Sequence, residues 1–272
     1  MILVTGATGN IGSHLVAMLL ATGQRVRVLT RDPARIATPG VEIAVGDLAH
    51  PATLAPALAG VDRAFFVTQV GQGIEPIAGG FAEAARAAGV RHVVAVSSGA
   101  IEMVPQPLRG RWHADLEVAL TGFATTFLRP DNFMSNTRRW APVIRERSTA
   151  PVPYPDGKSV PIDPYDIAAV ACTALVEERD GVLTLSGPQV MSPREQVAAI
   201  AAELGRRIEV VDLTPDQARA GYMRAGMSEQ LANEILELMN RPPRPTTTVR
   251  DVTGREPRTY ATWVREHRAE FA

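Results

Sequence analysis

The stretch Val4-Thr5-Gly6-Ala7-Thr8-Gly9-Asn10-Ile11-Gly12 decides the fold of this 272-residue chain. Ahead of it, Ile2-Leu3-Val4 is a short β-branched and aliphatic run. Beyond it, Leu15, Val16, Leu19 and Leu20 recur at helical spacing, so three glycines bridge a strand to a helix. The first-turn N–H groups of a helix lack intrahelical partners and carry a partial positive charge, which suits a phosphate where no Cβ intervenes. Gly6 permits the tight turn, Gly9 the close backbone approach and Gly12 the close packing of helix on strand. The two-residue gaps between these glycines differ from the G-x-G-x-x-G spacing, and a Gly-rich turn alone also fits a plain strand-to-helix connection. The next strand, at residues 25–30, completes a βαβ unit, and in that context the turn reads as a cradle for the pyrophosphate of a dinucleotide.

Working outward, apolar runs at residues 41–45, 63–68, 91–96 and 124–128 supply further strands, separated by helical patterns at 51–58, 75–88 and 110–120. This alternation predicts a parallel sheet with helices on both faces, in which ligands bind at the carboxyl ends of the strands. From Pro130 the texture changes. Residues 133–147 read as a helix, and Pro151, Pro153, Pro155, Gly157 and Pro161 predict a loop without regular structure that could fold over a site. A helix at 163–176 and a strand at 182–185 return to the sheet. Ser192-Pro193-Arg194-Glu195 combines an N-cap, a proline at the first helical position and first-turn acidic charge, starting a helix that runs to Leu204. A strand at 208–213, helices at 215–225 and 228–239, the extended Arg241-Pro242-Pro243-Arg244-Pro245 and a helix at 260–271 complete the chain. The expectation is an α/β protein: a doubly wound parallel sheet in residues 1–130, with 163–188 returning to it, and a smaller, mostly helical C-terminal lobe of residues 131–162 and 189–272 that covers a substrate.

Composition narrows the function. Hydrophobic residues at 46% can fill a sizeable core, and a net charge of −1 gives no basic excess for nucleic acid or an anionic membrane. The expected partner is a small molecule, with the protein a monomer or homodimer. Cys172, the single cysteine, excludes an internal disulfide and a cysteine-based metal cluster, and no metal site is expected. No run approaches the roughly 20 apolar residues of a membrane span. The first strand begins at residue 2, and a cytoplasmic location is expected.

Several turns taken together resemble one family. The opening glycine stretch, Thr30-Arg31-Asp32-Pro33, Gly46-Asp47, Ser97-Ser98, His113 with Glu117, and Leu128-Arg129-Pro130-Asp131-Asn132-Phe133-Met134-Ser135-Asn136 are similar to the NmrA-like group of atypical short-chain dehydrogenases/reductases. Thr184-Leu185-Ser186-Gly187-Pro188 and Val252-Thr253-Gly254-Arg255-Glu256-Pro257-Arg258 extend the resemblance over most of the chain. It implies a Rossmann fold that binds NAD(P). It does not fix a substrate, because the group includes NADPH-dependent quinone and dye reductases, phenylpropanoid-type double-bond reductases and NADP-binding regulators without turnover.

The cofactor-binding set expected from these turns is Gly6, Thr8, Gly9, Asn10, Ile11, Gly12, Arg31, Asp47, Phe66, Thr68 and Phe133. An NAD site places an acid at the end of the second strand for the ribose 2′-OH, whereas a 2′-phosphate calls for a cation. Arg31 occupies that corner and guanidinium pairs well with phosphate, so NADP(H) is expected over NAD(H). The other reading makes Arg31 a solvated surface residue, with Asp32 a helix cap or ribose acceptor. Asp47 resembles the family's adenine-contacting acid, and equally fits a turn that caps the next helix. Phe66 and Thr68 are placed along the ribose and the middle of the cofactor, and Phe133 on the nicotinamide face, with core packing the competing reading for both aromatics.

The catalytic reading turns on an absence. Typical short-chain dehydrogenases carry a Tyr-x-x-x-Lys pair on the helix after strand five, where the lysine lowers the tyrosine pKa. Here that helix contains Arg109-Gly110-Arg111-Trp112-His113. The single lysine, Lys158, lies in the proline-rich loop, and the four tyrosines, 154, 165, 222 and 260, follow strand six. His113 becomes the candidate proton donor, with Glu117 one turn on expected to hold it and raise its basicity. Ser97 or Ser98 matches the family's serine and is expected to polarise a substrate oxygen. Asn132 and Tyr154 are expected in the substrate pocket. The favoured function is an NADPH-dependent reductase of a quinone, enone or similar conjugated or aromatic ketone. A catalytically silent NADP(H)-binding sensor is the alternative, and a sugar-nucleotide epimerase or dehydratase ranks third.

Overall fold

The computed structural model describes residues 1–68, 74–103, 106–239 and 241–272. The chain divides into two compact units. Unit 1 comprises Met1–Pro130, Pro164–Thr184 and Asp251–Gly254, and unit 2 Asp131–Asp163, Leu185–Arg250 and Arg255–Ala272.

Through residue 130 the chain runs β1 (Ile2–Val4), α1 (Gly12–Ala21), β2 (Val26–Thr30), β3 (Glu42–Val45), α2 (Leu54–Leu58), β4 (Arg63–Phe66), α3 (Ile74–Ala87), β5 (His92–Val96), α4 (Leu108–Ala119) and β6 (Ala124–Pro130). It continues with α5 (Ala141–Arg147), β7 (Thr149–Pro153), α6 (Pro164–Glu177), β8 (Gly181–Leu185), α7 (Pro193–Leu204) and β9 (Glu209–Leu213). The remaining helices are α8 (Pro215–Arg224), α9 (Glu229–Met239), α10 (Thr248–Thr253), α11 (Tyr260–Glu266) and α12 (Arg268–Phe271). Among the described residues one sheet is ordered β3-β2-β1-β4-β5-β6-β8, and the pairs from β3 through β6 are parallel. The order steps outward from β1 in both directions, so the carboxyl ends of β1 and β4 flank the reversal point where such sheets bind ligands.

Burial explains the sequence texture. Strands β1 and β5 are buried at every position, as expected of strands covered on both faces, which is why they read as continuous apolar runs without alternation. Leu3, Phe66, Phe81, Ala82 and Leu116 form one core on a face of the sheet. In unit 2 a separate core gathers Met134, Trp140, Ile144, Val152, Ile200, Tyr260 and Trp263.

Two expectations are corrected here. The proline-rich stretch is not all loop: β7 contains Pro151 and Pro153 and pairs in parallel with β9 in a two-stranded sheet. Prolines two residues apart place both missing N–H groups on the same side of the strand, and a strand with one partner leaves a side that needs no donors. Residues 133–147 are also not one helix, since Met134–Trp140 winds as a 3-10 helix before α5. The start of α7 forms as expected, with Ser192 accepting from the Glu195 N–H and Glu195 reaching back to the Ser192 N–H.

Candidate active site

The glycine turn shows why glycine is needed. Gly6 sits at φ +62, and a Cβ there would come 2.6 Å from Val67 Cγ1. At Gly12 a Cβ would stand 2.2 Å from the Gly6 carbonyl oxygen, so no other residue lets α1 start this close to the turn. Gly9 is exposed, and its N–H donates to the Gly6 carbonyl at 2.9 Å. Thr8 and Asn10 are exposed beside it, whereas Ile11 is buried and anchors the turn in the core. Ile11, at the N-cap of α1, supplies no side-chain cap. The helix start therefore presents N–H groups beside a surface bare of Cβ atoms, and these residues fit a pyrophosphate.

Thr5 and Val67 were missed in the sequence. Thr5 Oγ1 donates to the Val67 carbonyl at 3.0 Å and accepts the Val67 N–H at 2.8 Å, locking the ends of β1 and β4 together under Gly6. The only sequence signal was a threonine directly after an apolar strand. Thr68, next along, is half-buried. Phe66 is corrected: it is 0% exposed and packs on Phe81 with ring centroids 4.6 Å apart, so its side chain is core and cannot lie along a cofactor.

At the ends of β2 and β3, Arg31 is exposed and makes no hydrogen bond or ion pair with the described residues. Asp32 Oδ1 accepts the Ala34 N–H at 3.0 Å and caps a short 3-10 helix, which occupies it as a cap. Asp47 Oδ1 accepts the Ala49 N–H at 3.0 Å. That hydrogen bond, assisted by His50 and by the charge of Arg31, holds the Asp47 carboxyl below its usual range.

Around the carboxyl ends of β5 and β6 the candidates are rearranged. Ser97 is 3% exposed and donates to Glu117 Oε1 at 2.5 Å. Glu117 is also gripped by Arg129, Nε to Oε1 at 3.0 Å and Nη2 to Oε2 at 2.7 Å, while Arg129 Nη1 reaches Glu102 at 2.9 Å. No hydrogen bond from His113 to Glu117 forms, so the expected hold is corrected, although the Glu117 charge does raise the His113 pKa as expected, by less than other effects lower it. His113 is 3% exposed, its Nδ1 has no hydrogen-bond partner among the described residues, and burial, with the charge of Arg109 second, pushes its pKa down to about 4. The imidazole is neutral at pH 7 and stores no proton for a substrate. Ser97 is likewise corrected as the polarising hydroxyl, because its proton is committed to Glu117. Ser98 is half-buried and accepts the Ala100 N–H at 3.2 Å, and among the described residues nothing accepts its own proton.

In unit 2, Asn132 is exposed and its Oδ1 accepts from Asn136 Nδ2 at 2.7 Å. Phe133 is half-buried and bridges to Ile162. Tyr154 is half-buried in a turn closed by the Gly157 N–H donating to its carbonyl at 3.0 Å. Tyr154 and Lys158 do stand four residues apart in the sequence. They flank a turn rather than share a helix face, and Lys158 Nζ is paired with Glu195 at 2.9 Å, so the spacing does not recreate a Tyr-Lys acid.

Among the described residues no group of three or more His, Cys, Asp or Glu is gathered as for a metal ion, and no helix is long and apolar enough to cross a membrane. A family model described as NAD(P)H-binding matches residues 6–178. An NAD(P)H azoreductase from Xenophilus azovorans is 37% identical, covering 100% of this chain and 99% of that protein. The (4-alkanoyl-5-oxo-2,5-dihydrofuran-3-yl)methyl phosphate reductase of Streptomyces griseus is also 37% identical, with the same coverage. In fold, the chain is similar to an NADPH-dependent quinone oxidoreductase from Escherichia coli solved with NADPH, at a TM-score of 0.83 and 23% identity over 98% of this chain and 99% of that one. With the glycine cradle, the sheet order and these relatives together, the chain belongs to the NAD(P)H-binding Rossmann family, among the NmrA-like atypical short-chain dehydrogenases/reductases.

Proposed function

We propose that this NAD(P)H-dependent reductase prefers NADP(H) and acts on conjugated acceptors: quinones, azo compounds, enones or similar aromatic ketones. When bound, the nicotinamide cofactor supplies hydride. The observation that carries the reading is the state of the proton-donating groups. With His113 neutral and buried, Ser97 committed to Glu117 and no Tyr-Lys pair on α4, the described residues around β5 and β6 hold no strong general acid. Reduction of a conjugated acceptor leaves a delocalised anion, which asks less of a proton donor than an isolated ketone does. Ser98 retains a hydroxyl proton for a hydrogen bond to the acceptor's oxygen, and solvent supplies the proton. The names of the two 37% identical relatives support the choice, since an azo group and an alkanoyl-dihydrofuranone are both conjugated.

The cofactor preference rests on Arg31, exposed and without an ion pair among the described residues at the end of β2, while Asp32 serves as a cap. Gly6, Thr8, Gly9, Asn10 and Gly12 would hold the pyrophosphate, and Arg31 the 2′-phosphate. Replacing Arg31 by Ala is expected to weaken NADPH about tenfold, the loss of one exposed charge-assisted contact, and NADH hardly at all. Equal losses for both remove the assignment. The reductase reading itself is tested by acceptor-dependent consumption of NADPH across quinones, azo dyes and enones.

A further inference from the structure

Ser98 lies in a loop that is tied at both ends to a single ion cluster. On the amino side, Ser97 Oγ donates to Glu117 Oε1 at 2.5 Å and the Ser97 N–H donates to the Leu128 carbonyl at 2.7 Å. On the carboxyl side, Ser98 caps the one-turn 3-10 helix Gly99–Glu102, whose last residue accepts from Arg129 Nη1 at 2.9 Å. Arg129 also holds Glu117, through Nε at 3.0 Å and Nη2 at 2.7 Å, so Ser97 and Glu102 are fastened to the same pair. The Arg129 and Glu117 side chains are each 14% exposed, which shields their attraction from solvent.

A single 3-10 turn has poor hydrogen-bond geometry and little stability of its own. Ser98 Oγ accepts the Ala100 N–H at 3.2 Å, so the oxygen is placed by the turn while its proton stays available to donate. Against α4 the turn is held by neutral contacts. Gln106 Nε2 donates to the Ile101 carbonyl at 3.1 Å, and Gly110 allows a close approach, since a Cβ there would stand 2.5 Å from the Ala100 carbonyl oxygen. Glu102 is the only charged side chain of the turn, and its partner Arg129 belongs to β6. That pair ties the turn to the sheet.

Ser98, the cluster and the glycine cradle all belong to unit 1. Val4, Phe65 and Val94 lie level across β1, β4 and β5, so Gly6 and Ser98 leave the same carboxyl edge of the sheet, with β5 two strand spacings, about 10 Å, from β1. A group that stabilises developing charge works only when it is held in place before the reaction. We infer that Glu102 and Arg129 are positioning residues for the reduction: joined to Glu117, they set where the Ser98 hydroxyl stands, and they act through it rather than on the acceptor. This assignment rests on the reductase reading above.

Replacing Arg129 would also strip Glu117 of its partner, so the test removes Glu102, which is 36% exposed. The full-length wild type, Glu102→Ala, Ser98→Ala and the double variant are compared. Steady-state kinetics are measured with NADPH and 9,10-phenanthrenequinone, and amide hydrogen exchange is followed by mass spectrometry over residues 98–103 and over β1 and α1. Glu102→Ala is expected to lower kcat/KM for the quinone about fivefold with KM for NADPH unchanged, and to speed exchange about fivefold over 98–103 alone. In the Ser98→Ala background Glu102→Ala costs nothing further, because its effect runs through the lost hydroxyl. Unchanged quinone kinetics in Glu102→Ala, or the same fivefold loss with Ser98 already removed, overturns the assignment and leaves the reductase reading intact. Exchange over 98–103 that stays at the wild-type rate, or that quickens equally in β1 and α1 through a general loss of stability, overturns it as well. A wild type that consumes no NADPH with any acceptor overturns the reductase reading instead. Exchange then decides the positioning of Ser98 alone: a faster rate confined to 98–103 supports it, and an equal rate overturns it.

Discussion

Glu117 grips Arg129 through both carboxylate oxygens and takes the Ser97 proton on one of them. A permanent, forked cation is a better partner for a carboxylate than an imidazole one turn away on the same helix. That competition explains why Glu117 makes no hydrogen bond to His113, whose neutrality comes from burial, and why Ser97 is a structural hydroxyl. The cluster joins α4, the end of β6 and, through Glu102, the connection that follows Ser98.

Glu117→Gln should destabilise the protein by about 2–3 kcal/mol, because Arg129 loses a charge-assisted pair and keeps only Glu102. Urea unfolding at pH 7 measures it. A loss below about 0.5 kcal/mol, the scale of an ordinary surface pair, would show that the cluster is solvated rather than structural.

His113 gives a pH signature. Its folded pKa of about 4 lies below the unfolded value of about 6.5, so between these limits the unfolded chain binds more protons and stability falls as pH drops. The wild type should lose about 2 kcal/mol by pH 5 and about 3 kcal/mol by pH 4 through this group. His92, also lowered by burial, acts in the same direction, so the comparison is with His113→Leu, in which the His113 share of the slope disappears. Identical slopes for the two proteins would mean that His113 is charged in the fold. The pH profile of kcat should likewise show no His113 inflection near 6.5.

The two serines should separate cleanly. Ser98→Ala is expected to lower kcat/KM for a quinone about tenfold, the worth of one hydrogen bond to a charged oxygen, with NADPH binding unaltered. Ser97→Ala should cost about 1 kcal/mol in unfolding and leave kcat within about twofold. The reverse pattern would return the polarising role to Ser97.

In the cradle, Gly9→Ala and Gly12→Ala should differ in kind. The Gly9 Cβ would meet only the Gly6 carbonyl oxygen, at 3.1 Å, on an exposed turn. It should leave the melting temperature near wild type while NADPH binding weakens about tenfold or more through steric exclusion. The Gly12 Cβ would collide with the Gly6–Ala7 backbone and should lower both stability and binding. Titration of cofactor fluorescence alongside thermal melts separates them, and full-strength binding to Gly9→Ala would remove the turn from the pyrophosphate site.

Much of the fold was legible because its determinants are local. The Gly6, Gly9, Gly12 turn, the capping box at Ser192 and Glu195, and the alternation of strands and helices are all set by neighbours in sequence. What was not legible depends on partners distant in the chain. Phe66 reads equally as core or cofactor contact until Phe81 is seen against it, and β7 is hidden because two prolines suppress the signal of a strand whose partner, β9, lies some sixty residues on. Pairing His113 with Glu117 followed helix spacing correctly, and the Glu117 charge does act on the imidazole, but the hydrogen bond goes to Arg129, which arrives from another element. The Tyr154-to-Lys158 spacing is the converse case: it matches a helical Tyr-x-x-x-Lys in sequence, and the residues sit on a turn.

Acceptor-dependent oxidation of NADPH by the purified protein, followed at about 340 nm, bears most directly on the account as a whole. The expected result is turnover with quinones, azo dyes or enones, slower reaction with isolated aliphatic ketones, and a lower KM for NADPH than for NADH. Tight NADPH binding with no consumption across the same acceptors would contradict it and leave a cofactor-binding sensor in its place.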